Sequence, residues 1–280
     1  MMRSGKASKT ALRVAIRRAA HQLMEDPRIL EDPLALLLLG GGYARDLERA
    51  MHPVARDFRA FMAARSRFTE DRLGEAVHAG VRQYAILGAG LDTFAFRNPH
   101  AALRVFEVDF PATQEWKRGM VEAAGIAAPE SLTYVPLDFE HTDLREGLAE
   151  AGFDLDRPAF FGWLGVVPYL TRAAFEATLR VIAQMPAGSG VCFDYAFAPE
   201  QLGPARRAIF ERLAERLAKA GEPFQLFFAP DEMEAELNRA GFHRVEQAGT
   251  AELNARYFAG RKDGLRLSTG DLGRLAMAWV

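Results

Sequence analysis

The chain has 280 residues, 49% of them hydrophobic and 26% charged, which is the composition of a globular protein with enough apolar residues for a sizeable core. Thirty-five basic against thirty-seven acidic residues give a net charge of −2, which removes the electrostatic case for a nucleic-acid binder. The apolar run Leu34 to Leu39 is far short of the ~18 residues of a membrane span, and the single cysteine, Cys192, excludes an internal disulfide and fits a reducing cytoplasm.

Along the chain, the N-terminus carries Arg3, Lys6, Lys9, Arg13, Arg17 and Arg18 before the first acid, Glu25. No apolar h-region or small-residue cleavage site follows, so this is not read as a targeting peptide. Leu12, Ala15, Ile16, Ala19 and Leu23 recur at helical spacing and predict an amphipathic helix. The rest of the first eighty residues also reads as helix. Glu31-Asp32-Pro33 punctuates it, Gly40-Gly41-Gly42 forms a flexible loop, and Pro53 opens a long segment to about Ala79. Strand candidates then alternate with helical stretches: Gln83–Leu87, Leu103–Val108, Leu132–Leu137, Ala159–Trp163 and Gly190–Tyr195, separated by helices near Pro111–Ala124, Asp143–Ala151 and Arg172–Met185. A long helix over Pro199–Ala220, an apolar Phe224–Phe228 read by default as a buried strand, a helix over Pro230–Ala240 and a strand over Phe242–Gln247 complete the pattern. The alternation predicts right-handed βαβ units and a doubly wound, mostly parallel α/β sheet. With no repeat or linker in view, residues 1–280 are expected to form one domain, a helical cap over 1–80 and an α/β core over 81–280.

The most informative segment is Gln83-Tyr84-Ala85-Ile86-Leu87-Gly88-Ala89-Gly90-Leu91-Asp92-Thr93, with Arg104-Val105-Phe106-Glu107-Val108-Asp109 about twenty residues on. An apolar run ending in Gly-x-Gly, then a second ending in an acid, is how an open α/β sheet holds an adenosine-bearing cofactor. A dinucleotide fingerprint wants a third small residue where Thr93 stands, and a pyrophosphate on a helix N-terminus. Asp92 adds a carboxylate that would repel a pyrophosphate and tolerate a cationic sulfonium. The site therefore reads as one for S-adenosylmethionine, with an NAD(P)-dependent oxidoreductase as the disfavoured alternative.

Beyond these motifs, Thr10-Ala11-Leu12-Arg13-Val14-Ala15, Asp32-Pro33-Leu34-Ala35, Ala64-Arg65, Phe106-Glu107-Val108-Asp109-Phe110-Pro111, Tyr134-Val135-Pro136-Leu137-Asp138, Tyr169-Leu170 and Tyr257-Phe258-Ala259-Gly260-Arg261 complete a pattern over nearly the whole chain. The chain resembles the bacterial branch of the leucine carboxyl methyltransferase family, within the class I S-adenosylmethionine-dependent methyltransferases. The resemblance implies a seven-stranded Rossmann-like sheet. It also implies that Gly88 and Gly90 form the turn beneath the cofactor's methionine part, and that Asp109 accepts from the ribose hydroxyls. Asp138 and the backbone N–H of Phe139 would face the adenine. Arg65 would hold the cofactor's carboxylate, a task suited to a forked, permanently charged guanidinium. The helix also carries Arg56, Arg59, Arg67 and Arg72, so the residues alone do not single Arg65 out.

One departure stands in Phe160-Phe161-Gly162-Trp163-Leu164-Gly165-Val166-Val167-Pro168-Tyr169-Leu170: relatives usually carry Glu where this chain has Leu164. The substitution makes the pocket more apolar, and it keeps open a catalytically weak or silent cofactor-binding protein. The expected acceptor is a small-molecule carboxylate or hydroxyl. A carboxylate is already ionised and needs no general base, whereas a hydroxyl usually wants one, most often His. Of the histidines only His141 follows a motif closely, and it reads as a loop residue; this weakly favours carboxyl methylation. Tyr169 is either an acceptor-orienting hydroxyl or packing, and no metal-ligand spacing is present.

Overall fold

The structure is a computed structural model that describes residues 8–139, 142–219, 221–268 and 273–280, excluding the side chains of residues 205 and 206. His141, Arg3 and Lys6 lie outside the described residues. Four helices come first: α1 (Lys9–Met24), α2 (Leu34–Leu39), α3 (Ala44–Met51) and α4 (Arg56–His78). Ser8 caps α1, its hydroxyl accepting from Ala11 N at 3.1 Å. The predicted apolar stripe is only partly the buried one. Ala15, Ile16 and Ala19 are covered, Leu23 is half exposed, and Arg18, His21 and Gln22 are buried instead.

Seven strands follow: β1 (Gln83–Leu87), β2 (Arg104–Asp109), β3 (Leu132–Pro136), β4 (Phe160–Trp163), β5 (Gly190–Ala196), β6 (Arg244–Ala248) and β7 (Gly273–Trp279). They form one sheet in the order β3-β2-β1-β4-β5-β7-β6, parallel except for β7. The helices α5 (Pro111–Ala123), α6 (Leu144–Glu150), α7 (Arg172–Ala183), α8 (Pro204–Lys219) and α9 (Pro230–Ala240) lie between and after the strands. The apolar runs are continuous because both faces of the sheet are covered. Ala85, Leu87, Phe106, Phe161 and Phe193 pack on one face against Leu148 of α6, Phe175 of α7 and Met233 of α9. Tyr84, Ile86, Val105, Phe160 and Cys192 pack on the other against Ala60, Ala64 and Phe68 of α4.

Three expectations are corrected. Phe224–Phe228 is not a strand. Both neighbours of β5 are already taken, by β4 and β7, so the segment lies across the strand ends instead. Gln225 N and Leu226 N donate to Pro168 O at 2.7 and 3.2 Å, and Phe228 N to Ala196 O at 3.0 Å. The seventh strand is Gly273–Trp279, whose Ala-Met-Ala sequence carries little β propensity but is buried on both faces between β5 and β6. The long helix expected over Pro199–Ala220 is a short turn, Pro199–Gln201, followed by α8, because Gly203 and Pro204 interrupt it.

Connections run from β1 outward through β2 to β3, and from β4 outward through β5. The order reverses between β1 and β4, and the carboxyl ends of these two strands are where open α/β sheets bind ligands.

Candidate functional site

The turn after β1 is built from backbone. Gly88 N and Ala89 N donate to Val108 O at 2.7 and 3.1 Å, and Gly88 and Gly90 take φ of +68° and +51°, a region that side chains other than glycine seldom enter. A Cβ on Gly88 would stand 2.3 Å from Val166 Cγ2, and one on Gly90 would stand 2.9 Å from the Cβ of Ala11. The glycines thus admit protein neighbours as well: the loop after β4 at Gly88 and the cap helix α1 at Gly90. Asp109, at the end of β2, accepts Gly90 N on Oδ2 at 2.5 Å and Phe110 N on Oδ1 at 2.6 Å. Burial raises its pKa above the ordinary carboxylate value, against the pull of those two N–H groups and of Lys117. After the glycines the chain makes only a short turn, Phe94–Phe96, before β2. No α-helix begins there, so the helix N-terminus that a pyrophosphate would need is missing.

Asp92 lines the cavity, but its charge is compensated. Its Oδ2 pairs with Arg18 Nη1 at 2.6 Å, and Phe94 N donates to its Oδ1 at 2.7 Å. Burial works to raise its pKa, yet Arg18, Arg97 and Lys117 bring it down to about 2. The expectation that Asp92 alone would repel a pyrophosphate is corrected accordingly: the carboxylate belongs to an ionic seam between cap and core. In that seam Arg18 Nη2 reaches Asp32 Oδ2 at 2.7 Å and Thr93 Oγ1 at 3.0 Å, and the Thr93 hydroxyl donates to Asp32 Oδ1 at 2.5 Å. Arg97 donates to Thr93 at 3.2 Å and holds Glu70 with both arms of its fork. Thr93, in the position where a dinucleotide site wants Gly or Ala, therefore anchors the cap.

The five arginines of α4 sort themselves by partner. Arg56 donates to Asp263 O, Arg59 is buried on Glu25, Arg67 pairs at the surface with Asp71, and Arg72 pairs with Glu75 and Glu246. Of the five, only Arg65 lines the cavity. Its Nη1 donates to Asp194 Oδ2 on β5 at 2.8 Å, and Asp194 Oδ1 accepts Gly165 N at 2.5 Å. A Cβ on Gly165 would meet the guanidinium at 3.2 Å, so the loop after β4 folds directly over this pair. Arg65 Nη2 makes no hydrogen bond among the described residues, which leaves one arm for a carboxylate.

The cavity has a volume of about 700 Å³, within the usual range for small-molecule sites. Arg65, Gly88, Gly90, Asp109, Asp138, Phe139, Leu164 and Tyr169 all line it. The lining also takes in residues that no sequence pattern groups: Ser8 and Thr10 from the start of α1, and Glu222 from the segment between α8 and α9. Ser8 Oγ donates to Glu222 Oε1 at 2.9 Å, and the Thr10 hydroxyl donates to Oε2. Tyr169 packs on Phe224, ring centroids 5.1 Å apart. Burial drives its hydroxyl well above the usual pKa, with Glu222 and Asp194 adding to the shift, so it stays protonated and can donate. Two arginines stand in the walls against four acids, Asp92, Asp109, Asp138 and Glu222. Among the described residues no group of three or more His, Cys, Asp or Glu could hold a metal ion.

The leucine carboxyl methyltransferase family model matches residues 11–183. The chain belongs to the leucine carboxyl methyltransferase family. YktD of Bacillus subtilis (strain 168), described as a candidate S-adenosyl-L-methionine-dependent methyltransferase, is 31% identical over 291 aligned positions, covering 94% of this chain and 95% of its own. A protein of Mycobacterium tuberculosis (strain ATCC 25177 / H37Ra) with the same description is 34% identical over 226 positions, 74% and 70% of the two chains. In fold, the chain is similar to the crystal structure of a methyltransferase-like protein from Thermobifida fusca YX, with a TM-score of 0.57 at 16% identity, covering 98% and 95%. With the family come the methyltransferase class and S-adenosylmethionine as the cofactor.

The walls fit that family's cofactor. A Gly-x-Gly cradle has its Cβ space filled by packing, a buried carboxylate closes β2, and a guanidinium has one arm spare. At the position where the family usually has Glu, Leu164 packs beside Tyr84, Ile86 and Phe160 on the sheet face, so the acid is replaced by apolar wall.

Proposed function

We propose that this chain transfers a methyl group from S-adenosylmethionine to an oxygen of a small molecule. The observation that carries the proposal is one cavity at the β1/β4 switch point whose lining holds Gly88, Gly90, Asp109, Asp138 and Phe139 together with Leu164, Tyr169 and Glu222. In this reading Arg65 holds the cofactor's carboxylate with its free arm. Asp109 takes the ribose hydroxyls on lone pairs left by Gly90 and Phe110, and Asp138 with the N–H of Phe139 faces the adenine. When bound, the cofactor supplies an electrophilic methyl group on a sulfonium. What remains for the protein is alignment and exclusion of water: Leu164, Val166 and Leu170 make the central wall apolar, and Tyr169 orients the acceptor by donating a hydrogen bond. The family's name makes a carboxylate the first acceptor to test, and it would need no general base. A hydroxyl is the second reading, favoured by Glu222.

No described helix is long and apolar enough to cross a membrane, and a reducing cytoplasm is part of the proposal, with Cys192 buried against the Thr69 hydroxyl. The test is calorimetry followed by transfer of labelled methyl. S-adenosylhomocysteine is expected to bind in the micromolar range and NADH not at all; tight NADH binding without a response to S-adenosylhomocysteine would overturn the proposal.

A further inference from the structure

Glu222 is 8% exposed and faces the cavity. Both of its carboxylate oxygens are met by hydroxyl donors, Ser8 on Oε1 at 2.9 Å and Thr10 on Oε2. Among the described residues no Lys, Arg or His pairs with it. Of the two guanidiniums in the cavity wall, Arg18 is held between Asp32 and Asp92, and Arg65 is paired through one arm with Asp194, its other arm being taken by the cofactor's carboxylate in the reading above. A carboxylate acceptor entering beside Glu222 would bring a second anion close to one that has no cationic partner among the described residues. A hydroxyl acceptor would bring a donor to a carboxylate whose oxygens each hold lone pairs beyond those used by Ser8 and Thr10. None of the described histidines lines the cavity, and Asp109 and Asp138 are assigned to the cofactor in the reading above.

We propose that Glu222 selects the acceptor, admitting a neutral alcohol or phenol hydroxyl and rejecting a free carboxylate, and that it takes the hydroxyl proton. The proposal rests on the O-methyl transfer reading above and takes its second acceptor, the hydroxyl, over the carboxylate that the family's name puts first. Glu222 removes the proton as the oxygen–methyl bond forms and the methyl–sulfur bond breaks. The sulfur keeps the bonding pair and leaves as a neutral thioether, and the proton passes from Glu222 to water. Ser8 and Thr10 hold the carboxylate in place, and the Tyr169 ring beside Phe224 closes the wall.

The test uses the full chain loaded with S-adenosylhomocysteine and two matched probe pairs, phenol against benzoate and 1-octanol against octanoate, by calorimetry. The hydroxyl member of each pair is expected to bind at least about tenfold tighter, and Glu222→Gln to bring the members within about threefold. In turnover with methyl-labelled S-adenosylmethionine, the label is expected in an alkali-stable ether, and Glu222→Gln to lower the rate about a hundredfold or more, as loss of a general base does. A Ser8→Ala/Thr10→Val double variant keeps the hydroxyl preference if Glu222 acts by its own charge; loss of that preference reduces Glu222 to a strut between α1 and the α8–α9 segment. Preference for the acids, equal affinities within the pairs, binding by neither member of either pair, or label released as methanol by alkali each overturn the proposal. The last outcome leaves O-methyl transfer standing, whereas failure to bind S-adenosylhomocysteine removes the underlying reading itself.

Discussion

The sheet and the seam between cap and sheet are held by different physics. Phe161, Phe193 and Val191 are fully buried among apolar neighbours, so their contribution scales with area and tolerates small shifts. At the seam, Arg18, Asp32, Asp92, Thr93, Arg97 and Glu70 meet through directed charge and hydrogen bonds. A buried ionic network of this sort adds little net stability over apolar packing but fixes one arrangement and penalises loss of a partner. The sheet shapes the cavity wall at Gly88, Gly90 and Asp109, and the seam sets where α1 brings Ser8 and Thr10 into that wall.

The largest effects should come from breaking each region by its own rule. Phe161→Ala should destabilise by about 3–5 kcal/mol, with S-adenosylhomocysteine affinity preserved in the folded fraction. Arg18→Ala leaves Asp32 and Asp92 under-compensated and should cost about 3 kcal/mol, but with a loss of affinity beyond what unfolding explains. Urea titrations alongside calorimetry separate the two, and equal affinity losses would erase the distinction.

Acid sharpens the comparison at one residue. The folded pKa of Asp92, about 2, lies below its ordinary value of 3.8, so its contribution is present above about pH 4 and is lost as pH falls toward 2. With the side chain about one-fifth exposed, that contribution is at most about 2 kcal/mol. Asp92→Asn should be less stable than wild type by this amount at pH 6, and the gap should narrow below about pH 4 and close toward pH 2. A gap that does not vary with pH would show that the Arg18 pair is not its source.

Smaller, and specific to the cofactor, is Arg65→Lys. It keeps a charge for Asp194 but loses the second arm, so S-adenosylhomocysteine should weaken roughly tenfold while adenosine, which lacks a carboxylate, binds both proteins alike. Parallel losses for both ligands would make Arg65 a purely structural member of the Asp194 pair. Asp109→Ala should weaken both ligands, by roughly tenfold or more, because the ribose is common to them. The smallest effect is expected at the surface. Arg67→Ala breaks a pair with Asp71 in which both side chains are about a third or more exposed, and melting should move by no more than about 0.5 kcal/mol.

The cavity residues at the strand ends were legible in the sequence because they are local to those ends. Gly88, Gly90 and Asp109 follow apolar runs directly, and backbone hydrogen bonding places them wherever those runs become neighbouring parallel strands. Asp138 and Phe139 follow for the same reason. Pattern also separates strands from helices between Gln83 and Tyr195, where each apolar run is bounded by turn residues. It failed at Gly273–Trp279, where burial between two strands overrides the weak propensity of Ala-Met-Ala. It failed again at Phe224–Phe228, where an apolar run covers the ends of strands without joining them.

By itself, then, the sequence determined the alternating α/β core and the glycine turn and acid at its strand ends, since these depend on periodicity and on backbone geometry that glycine alone permits. Only the tertiary structure decided which of five arginines on α4 enters the cavity, that Asp92 arrives already paired with Arg18, and that Glu222 meets Ser8 and Thr10 across more than two hundred residues of chain. Those contacts join side chains from elements whose sequences carry no mutual signal, and packing of the cap onto the sheet is what brings them within hydrogen-bonding reach.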